Sequence, residues 1–191
     1  INWFSEPSAR TNLAPDALGH CRFVIHKMKK QQTNLQRVLP ASGCFWGREY
    51  HLSRLNGVIK TSVGFAGGTV DHPSYQQVCH KNTGHAEVVE VWYDPAILPF
   101  SALLAFFFQL HDAAIDRRDN GGQYRSAIFH TTEEQKLIAQ SILSSLHGKG
   151  LVIYTELNAA GTFWPAAEKH QQYCETRGIL PRNTPRVRFN S

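Results

Sequence analysis

The five residues Gly43-Cys44-Phe45-Trp46-Gly47 constrain this chain more than any other stretch. An apolar run, Val38-Leu39-Pro40-Ala41, precedes them, and a helix-permissive segment, Arg48-Glu49-Tyr50-His51-Leu52-Ser53-Arg54-Leu55, follows. That order reads strand, tight turn, helix. It sets a cysteine at or near a helix N-terminus, where unpaired N–H groups and the macrodipole favour an anion. A thiol so placed is expected to lose its proton more readily, and the thiolate is the nucleophile. The alternative is a buried structural cysteine with Phe45 and Trp46 as core, since free cysteines are commonly buried.

Patterning is strong from Leu35 onward. Val58–Phe65 reads as a strand ending in the turn Ala66-Gly67-Gly68, and His85–Tyr93 as a strand stopped by Asp94-Pro95. Ser101 is expected to cap a helix running to Leu110, with Leu103, Phe106, Phe107 and Leu110 on its apolar face. Thr132-Glu133-Glu134-Gln135 has capping-box spacing and opens a helix with Ile138, Ile142 and Leu146 inward. Leu151–Glu156 reads as a further strand, and Pro165 suits the first turn of a last helix through Cys174. Strands alternating with helices predict an α+β fold: a two-layer sandwich on a mixed, ferredoxin-like sheet, with irregular N- and C-terminal segments. The expected domains are an extension over 1–34, a catalytic domain over 35–174, and a tail over 175–191 packed on it. A short helix is expected near Ala17–Lys30.

With 191 residues and 42 % hydrophobic content, one sizeable core is affordable. No apolar run approaches the roughly 20 residues needed to span a bilayer, so no membrane contact is expected. The chain begins at Ile1, so a cleaved targeting signal would be invisible. The four cysteines, Cys21, Cys44, Cys79 and Cys174, are scattered and form no CxxC, which fits reduced thiols with one reactive member. A cytoplasmic location is expected, or an organelle or periplasm after removal of a targeting segment. Net charge is +5, but the basic residues are spread out apart from Lys27-Met28-Lys29-Lys30, so no nucleic-acid partner is expected. Nothing requires an oligomer, and a monomer is expected.

A nucleophilic cysteine needs partners. On an extended strand Glu87 shares a face with Val89, Val91 and Tyr93. Without a partner there it would be desolvated and kept protonated near neutrality, able to act as an acid; alternatively it pairs with an arginine or is exposed at the strand's mouth. Tyr75 and Tyr124 offer phenolic donors or are ordinary half-buried tyrosines. His85 and His111 are candidate bases or ligands, yet the ten histidines show no HxxxH pair and no Cys/His ligand spacing, so no metal is expected.

Together with these stretches, Val63-Gly64-Phe65-Ala66-Gly67-Gly68, Pro73-Ser74-Tyr75, Val78-Cys79, Thr83-Gly84-His85-Ala86-Glu87-Val88-Val89, Gln123-Tyr124-Arg125-Ser126 and His170-Gln171-Gln172-Tyr173 occur in order. The series, over roughly residues 36–173, resembles the class A peptide methionine sulfoxide reductases. The resemblance implies thiol-dependent reduction of the S epimer of methionine sulfoxide, free or in proteins, with no bound cofactor. It implies an external thiol reductant such as thioredoxin, glutaredoxin or dithiothreitol, and a role in protein repair under oxidative stress. It implies Cys44 as nucleophile, Glu87 as proton or hydrogen-bond donor, Tyr75 and Tyr124 as holders of the sulfoxide oxygen, and Phe45 and Trp46 as a pocket for the S-methyl group. Asp119 and His85 are expected at the substrate.

Three departures stand out. The loop from His111 to Arg118 is shorter than the family's, residues 175–191 hold no resolving cysteine, and the basic extension before Leu35 is not covered. Cys174 is the candidate resolver, Cys21 a second, with direct reduction by an external thiol as the other route; Cys79 is expected to be structural. Two other readings remain open at this level. One is a cysteine hydrolase or acyltransferase using Cys44 with His85 or His111; the other is a methionine-sulfoxide-binding module that has lost recycling.

Overall fold

The computed structural model describes residues 34–80, 83–119 and 121–182. The expected extension with its short helix and Cys21, and the end of the tail, lie outside the described residues. Six strands form one sheet: β1 (Gln36–Ser42), β2 (Val58–Ala66), β3 (Ala86–Tyr93), β4 (Ser126–His130), β5 (Glu156–Ala159) and β6 (Trp164–Pro165), in the order β5-β4-β1-β3-β2-β6. Every neighbouring pair is antiparallel except β4 with β5, so the sheet is mixed. The inner order β4-β1-β3-β2, with α1 (Phe45–Leu52) after β1 and α3 (Phe100–Gln109) after β3, is the ferredoxin-like arrangement expected. The remaining helices are α2 (Tyr75–His80), α4 (Glu133–Gly148) and the single turn α5 (Tyr173–Thr176).

Period-two alternation sorts the strands into two faces. Val38, Val63, Phe65, Val89, Val91, Tyr93 and Ile128 join the helical residues Phe45, Leu52, Leu103, Phe107 and Leu146 in the larger core. Leu39, Ala41, Ala86, Val88, Ala127 and Phe129 form a smaller cluster on the opposite face, against Ala160 and Phe163. Pro40 lies in a central strand, where a missing N–H normally costs a ladder bond. Here β1 pairs with β3 only through Val38, while its pairing with β4 continues to Ser42, so the proline falls where one side of the ladder has already ended.

Three expected boundaries move. Ser101 lies inside α3 and Pro99 occupies the cap position without a side-chain bond, because Pro99 already supplies the fixed φ that starts the helix. The Leu151–Glu156 strand begins only at Glu156: the Tyr154 N–H donates to Ala113 O at 2.9 Å, outside the ladder. Pro165 is in β6 rather than a helix, and the last helix is confined to α5 after Gln172 adopts a left-handed φ of 47°. Thr132 does cap α4, accepting the Gln135 N–H at 3.1 Å, but the Gln135 side chain turns instead to Arg37 O and Tyr93 Oη. No described helix is long and apolar enough to cross a membrane.

Candidate active site

Cys44 is the N-cap residue of α1 and is exposed. Gly43, at φ 97°, makes the turn from β1 that a side chain would resist. The helix terminus does not win the electrostatic contest expected of it. Partial enclosure pushes the Cys44 thiol up, and the charge of Glu87 adds to the rise; the Trp46 backbone N–H and Arg48 oppose them. In the resting site the thiol is therefore held more protonated than a free cysteine, contrary to the expectation from helix position alone.

Glu87 is the second residue of β3, on the face it shares with Val89, Val91 and Tyr93, and is 1 % exposed. It meets no arginine among the described residues. Its Oε2 accepts the Phe45 backbone N–H at 2.9 Å and its Oε1 accepts Gln123 Nε2–H at 2.7 Å. Burial pushes its carboxyl up to about 7 against those two bonds. When protonated, the acid finds a donor at both partners, so its proton is left for an acceptor brought from outside.

The phenols gather around this carboxyl. Burial raises Tyr124 to about 12, with Glu87, Cys44 and Cys79 adding to the rise. Tyr75 is raised by burial and by a hydrogen bond to Cys79, with Glu87 and Tyr124 contributing. Cys79, expected to be structural, reaches the site: Gln123 Nε2 lies 3.1 Å from its sulfur as well as bonding Glu87. Gln123 and Cys79 thus support the carboxyl and Tyr75 from the side.

An aromatic wall stands next to the sulfur. Trp46 stacks on Tyr173 at 3.9 Å between centroids, Tyr75 stacks on His170 at 4.5 Å, and Phe45 lies 5.9 Å from His170. Trp46 Nε1–H donates to His170 Nδ1 at 3.2 Å, which requires neutral histidine with its proton on Nε2. Burial lowers the His170 pKa in keeping with that form. Glu49 ties the wall to α1: Oε2 accepts the Gln172 N–H at 2.7 Å and Oε1 accepts Thr61 Oγ1–H at 3.2 Å. His170 and Glu49 stand in recognisable motifs, but nothing local in the sequence assigns them these contacts.

Other expected site residues are placed differently. Both ring nitrogens of His85 are committed to backbone, Nδ1 accepting the Gly68 N–H at 3.1 Å and Nε2–H donating to Val70 O at 2.8 Å. His85 therefore pins the loop after β2 and has no free atom for a substrate. His111 is likewise occupied by Phe107 O at 3.1 Å and Ser126 Oγ at 2.7 Å. Asp119 is exposed, and its carboxylate has no partner among the described residues. Cys174 is buried, its thiol pushed up by burial and by Glu49. Among the described residues no group of three or more His, Cys, Asp or Glu is placed to hold a metal ion.

A family model described as peptide methionine sulfoxide reductase matches residues 36–185. A peptide methionine sulfoxide reductase MsrA of Methanoculleus marisnigri is 45 % identical over 153 residues, 77 % of this chain and 93 % of the relative. Among solved structures, Mxr1 of Saccharomyces cerevisiae in reduced form superposes with a TM-score of 0.71 at 28 % identity, over 80 % of this chain and 93 % of the other. The same yeast protein in complex with Trx2 superposes at 0.52 and 26 % identity, over 81 % and 90 % of the chains.

Proposed function

This chain belongs to the peptide methionine sulfoxide reductase family, and from that premise we infer how its site reduces methionine S-sulfoxide, free or in proteins. The observation carrying the reading is a buried, partner-held carboxyl with a pKa of about 7 next to a solvent-reachable cysteine at a helix start. A sulfoxide oxygen is a strong acceptor and a poor leaving group, so attack at sulfur needs an acid. Neutral Glu87 is that acid, and Tyr75 and Tyr124 donate to the same oxygen. The S-methyl group rests against Phe45 and Trp46. Asp119, exposed and with a carboxylate unpaired among the described residues, is the group proposed to meet the substrate's polar parts.

The Cys44 thiolate attacks the sulfoxide sulfur as the oxygen takes up a proton. The Cys44–sulfur bond made in the attack and the substrate's S–O bond both break as the oxygen passes to Cys44, so the methionine sulfur is reduced by two electrons and Cys44 is oxidised to the sulfenic acid. The charge of Glu87 raises the Cys44 thiol, so protonating Glu87 removes one obstacle to forming the thiolate. Arg48 and the Trp46 N–H favour it directly.

Regeneration uses an external thiol, and thioredoxin is the reductant proposed. Its first thiol displaces water from the sulfenic acid to form a mixed disulfide, and its second releases reduced Cys44. Cys174 is buried, yet it lies near enough for its charge to raise the Cys44 thiol, so it stays the candidate resolver beside direct external reduction. The test is turnover of methionine S-sulfoxide with dithiothreitol, in wild type and Cys44→Ser. Turnover is expected only in the wild type, and an active serine variant would refute the assignment. Intact mass after one turnover separates the recycling routes. One added oxygen supports external reduction; loss of two hydrogens, abolished by Cys174→Ser, would instead make Cys174 the resolver.

A further inference from the structure

Two arginines beside Gly43, the residue before Cys44, lack the ionic partners that their neighbours have. Among the described residues Arg37, Arg54, Arg118 and Arg125 pair with Glu90, Glu175, Asp116 and Glu156. Within the same set, Arg48 and Arg117 pair with no carboxylate and are half-buried. Arg48 Nε–H donates to Ser42 O at 2.7 Å, which lays its guanidinium along the turn from β1 to α1. A methyl group on Gly43 would stand 3.7 Å from Arg48 Nη2 and 3.7 Å from Arg117 Nη1. Two cations, one from α1 and one from the short loop after α3, thus converge on the residue preceding the nucleophile. Burial lowers the Arg48 pKa and the charge of Arg117 adds to that, while both arginines add to the lowering that burial imposes on His111.

Like charges held this close repel, and the outer N–H groups of each fork remain unused. An anion between them would relieve the repulsion and fill those donors, as guanidinium forks fill with carboxylates. Cys44 is exposed beside this pair, so a substrate that presents its sulfur there carries its backbone within a side chain's length of the two guanidinium groups, and in a free or carboxy-terminal methionine sulfoxide that backbone ends in a carboxylate.

We propose that Arg48 and Arg117 form a carboxylate subsite that favours substrates bearing an acid next to the sulfoxide, foremost the α-carboxylate of free or carboxy-terminal methionine sulfoxide. The proposal rests on the reductase reading and deepens it. The test is kcat/KM, at fixed dithiothreitol, for N-acetylmethionine S-sulfoxide, its carboxamide, and the same residue followed by an amidated aspartate. Wild type is expected to prefer the acid to the carboxamide by about three- to tenfold, the order for partly solvated charged pairs. That preference should shrink with added salt, fall towards unity in Arg117→Gln and be partly kept in Arg117→Lys. A preference shown by the aspartate peptide as well would extend the subsite to acidic neighbours.

Equal rates for acid and carboxamide in wild type would overturn the proposal. So would an Arg117→Gln variant that slows both equally. In a second series with thioredoxin as the varied reductant, an Arg117→Gln effect confined to the KM for thioredoxin would assign the pair to the reductant and likewise overturn it. Failure of wild type to reduce any of the three compounds would sink the reductase reading itself, so the two failures are distinguishable.

Discussion

Replacing Glu87 by glutamine isolates the free energy stored in the buried carboxyl. In the unfolded chain this group ionises near 4.5; in the folded protein burial holds its proton to about 7. Between those values the folded state binds the extra proton, so stability falls as pH rises through the window and levels off above it. At about 1.4 kcal/mol for each pH unit, the interval corresponds to roughly 3 kcal/mol. The group is 1 % exposed, so solvent screening takes little from that figure. The substituted side chain cannot ionise, but its amide must face two donors, Phe45 N–H and Gln123 Nε2, with only one acceptor atom. That mismatch costs the same at every pH and cancels in a comparison across pH. Urea unfolding of both proteins at pH 4, 5, 6, 7 and 8 is the assay. The stability of Glu87→Gln relative to wild type should rise by roughly 3 kcal/mol from pH 4 to pH 8, with the change concentrated between the two ionisations. A difference independent of pH, or one falling with pH, would show that the carboxyl is not desolvated as described. Its role as the neutral acid would fall with it.

Other outcomes follow from the same structure. His111 is buried, and burial lowers its pKa to about 4; relative to His111→Asn, wild type should lose roughly 3 kcal/mol as pH falls from 6.5 to 4, measured by the same unfolding series. Ala in place of Gly64 would set a Cβ 2.3 Å from Trp164 O and 2.6 Å from the Phe163 ring. Because one obstacle is backbone, β6 must shift, at a cost of about 1–3 kcal/mol measurable in urea. Trp46→Ala removes the Tyr173 stack and the His170 bond. It should lower kcat/KM for methionine sulfoxide by on the order of tenfold or more, mainly through KM; an unchanged KM would remove Trp46 from the pocket.

The strands and the first helix are readable because their signals are local. Val38 to Ala41 is a plain apolar run, Val58 to Phe65 and His85 to Tyr93 are strand-like stretches that end at turn signals, and Thr132 carries its own cap. The errors lie where a distant partner overrides a local cue. Pro165 is drawn into the sheet by Gly64, Tyr154 spends its N–H on Ala113, and His85 is spent on the Gly68–Val70 loop.

The site divides the same way. The order of its motifs marks Cys44, Glu87, Tyr75, Tyr124, Phe45 and Trp46 as candidates, because each stands in a short recognisable string. No string links Trp46 to His170, 124 residues away, Gln123 to both Cys79 and Glu87, or Arg117 to Arg48. Residue type and spacing determined which groups can ionise, donate or stack, since those properties belong to the side chains themselves. Only the folded arrangement decided how strongly each holds its proton. Desolvation and through-space charge depend on what packs around a group, which is why the helix-start cysteine holds its proton more tightly and the strand carboxyl titrates near neutrality.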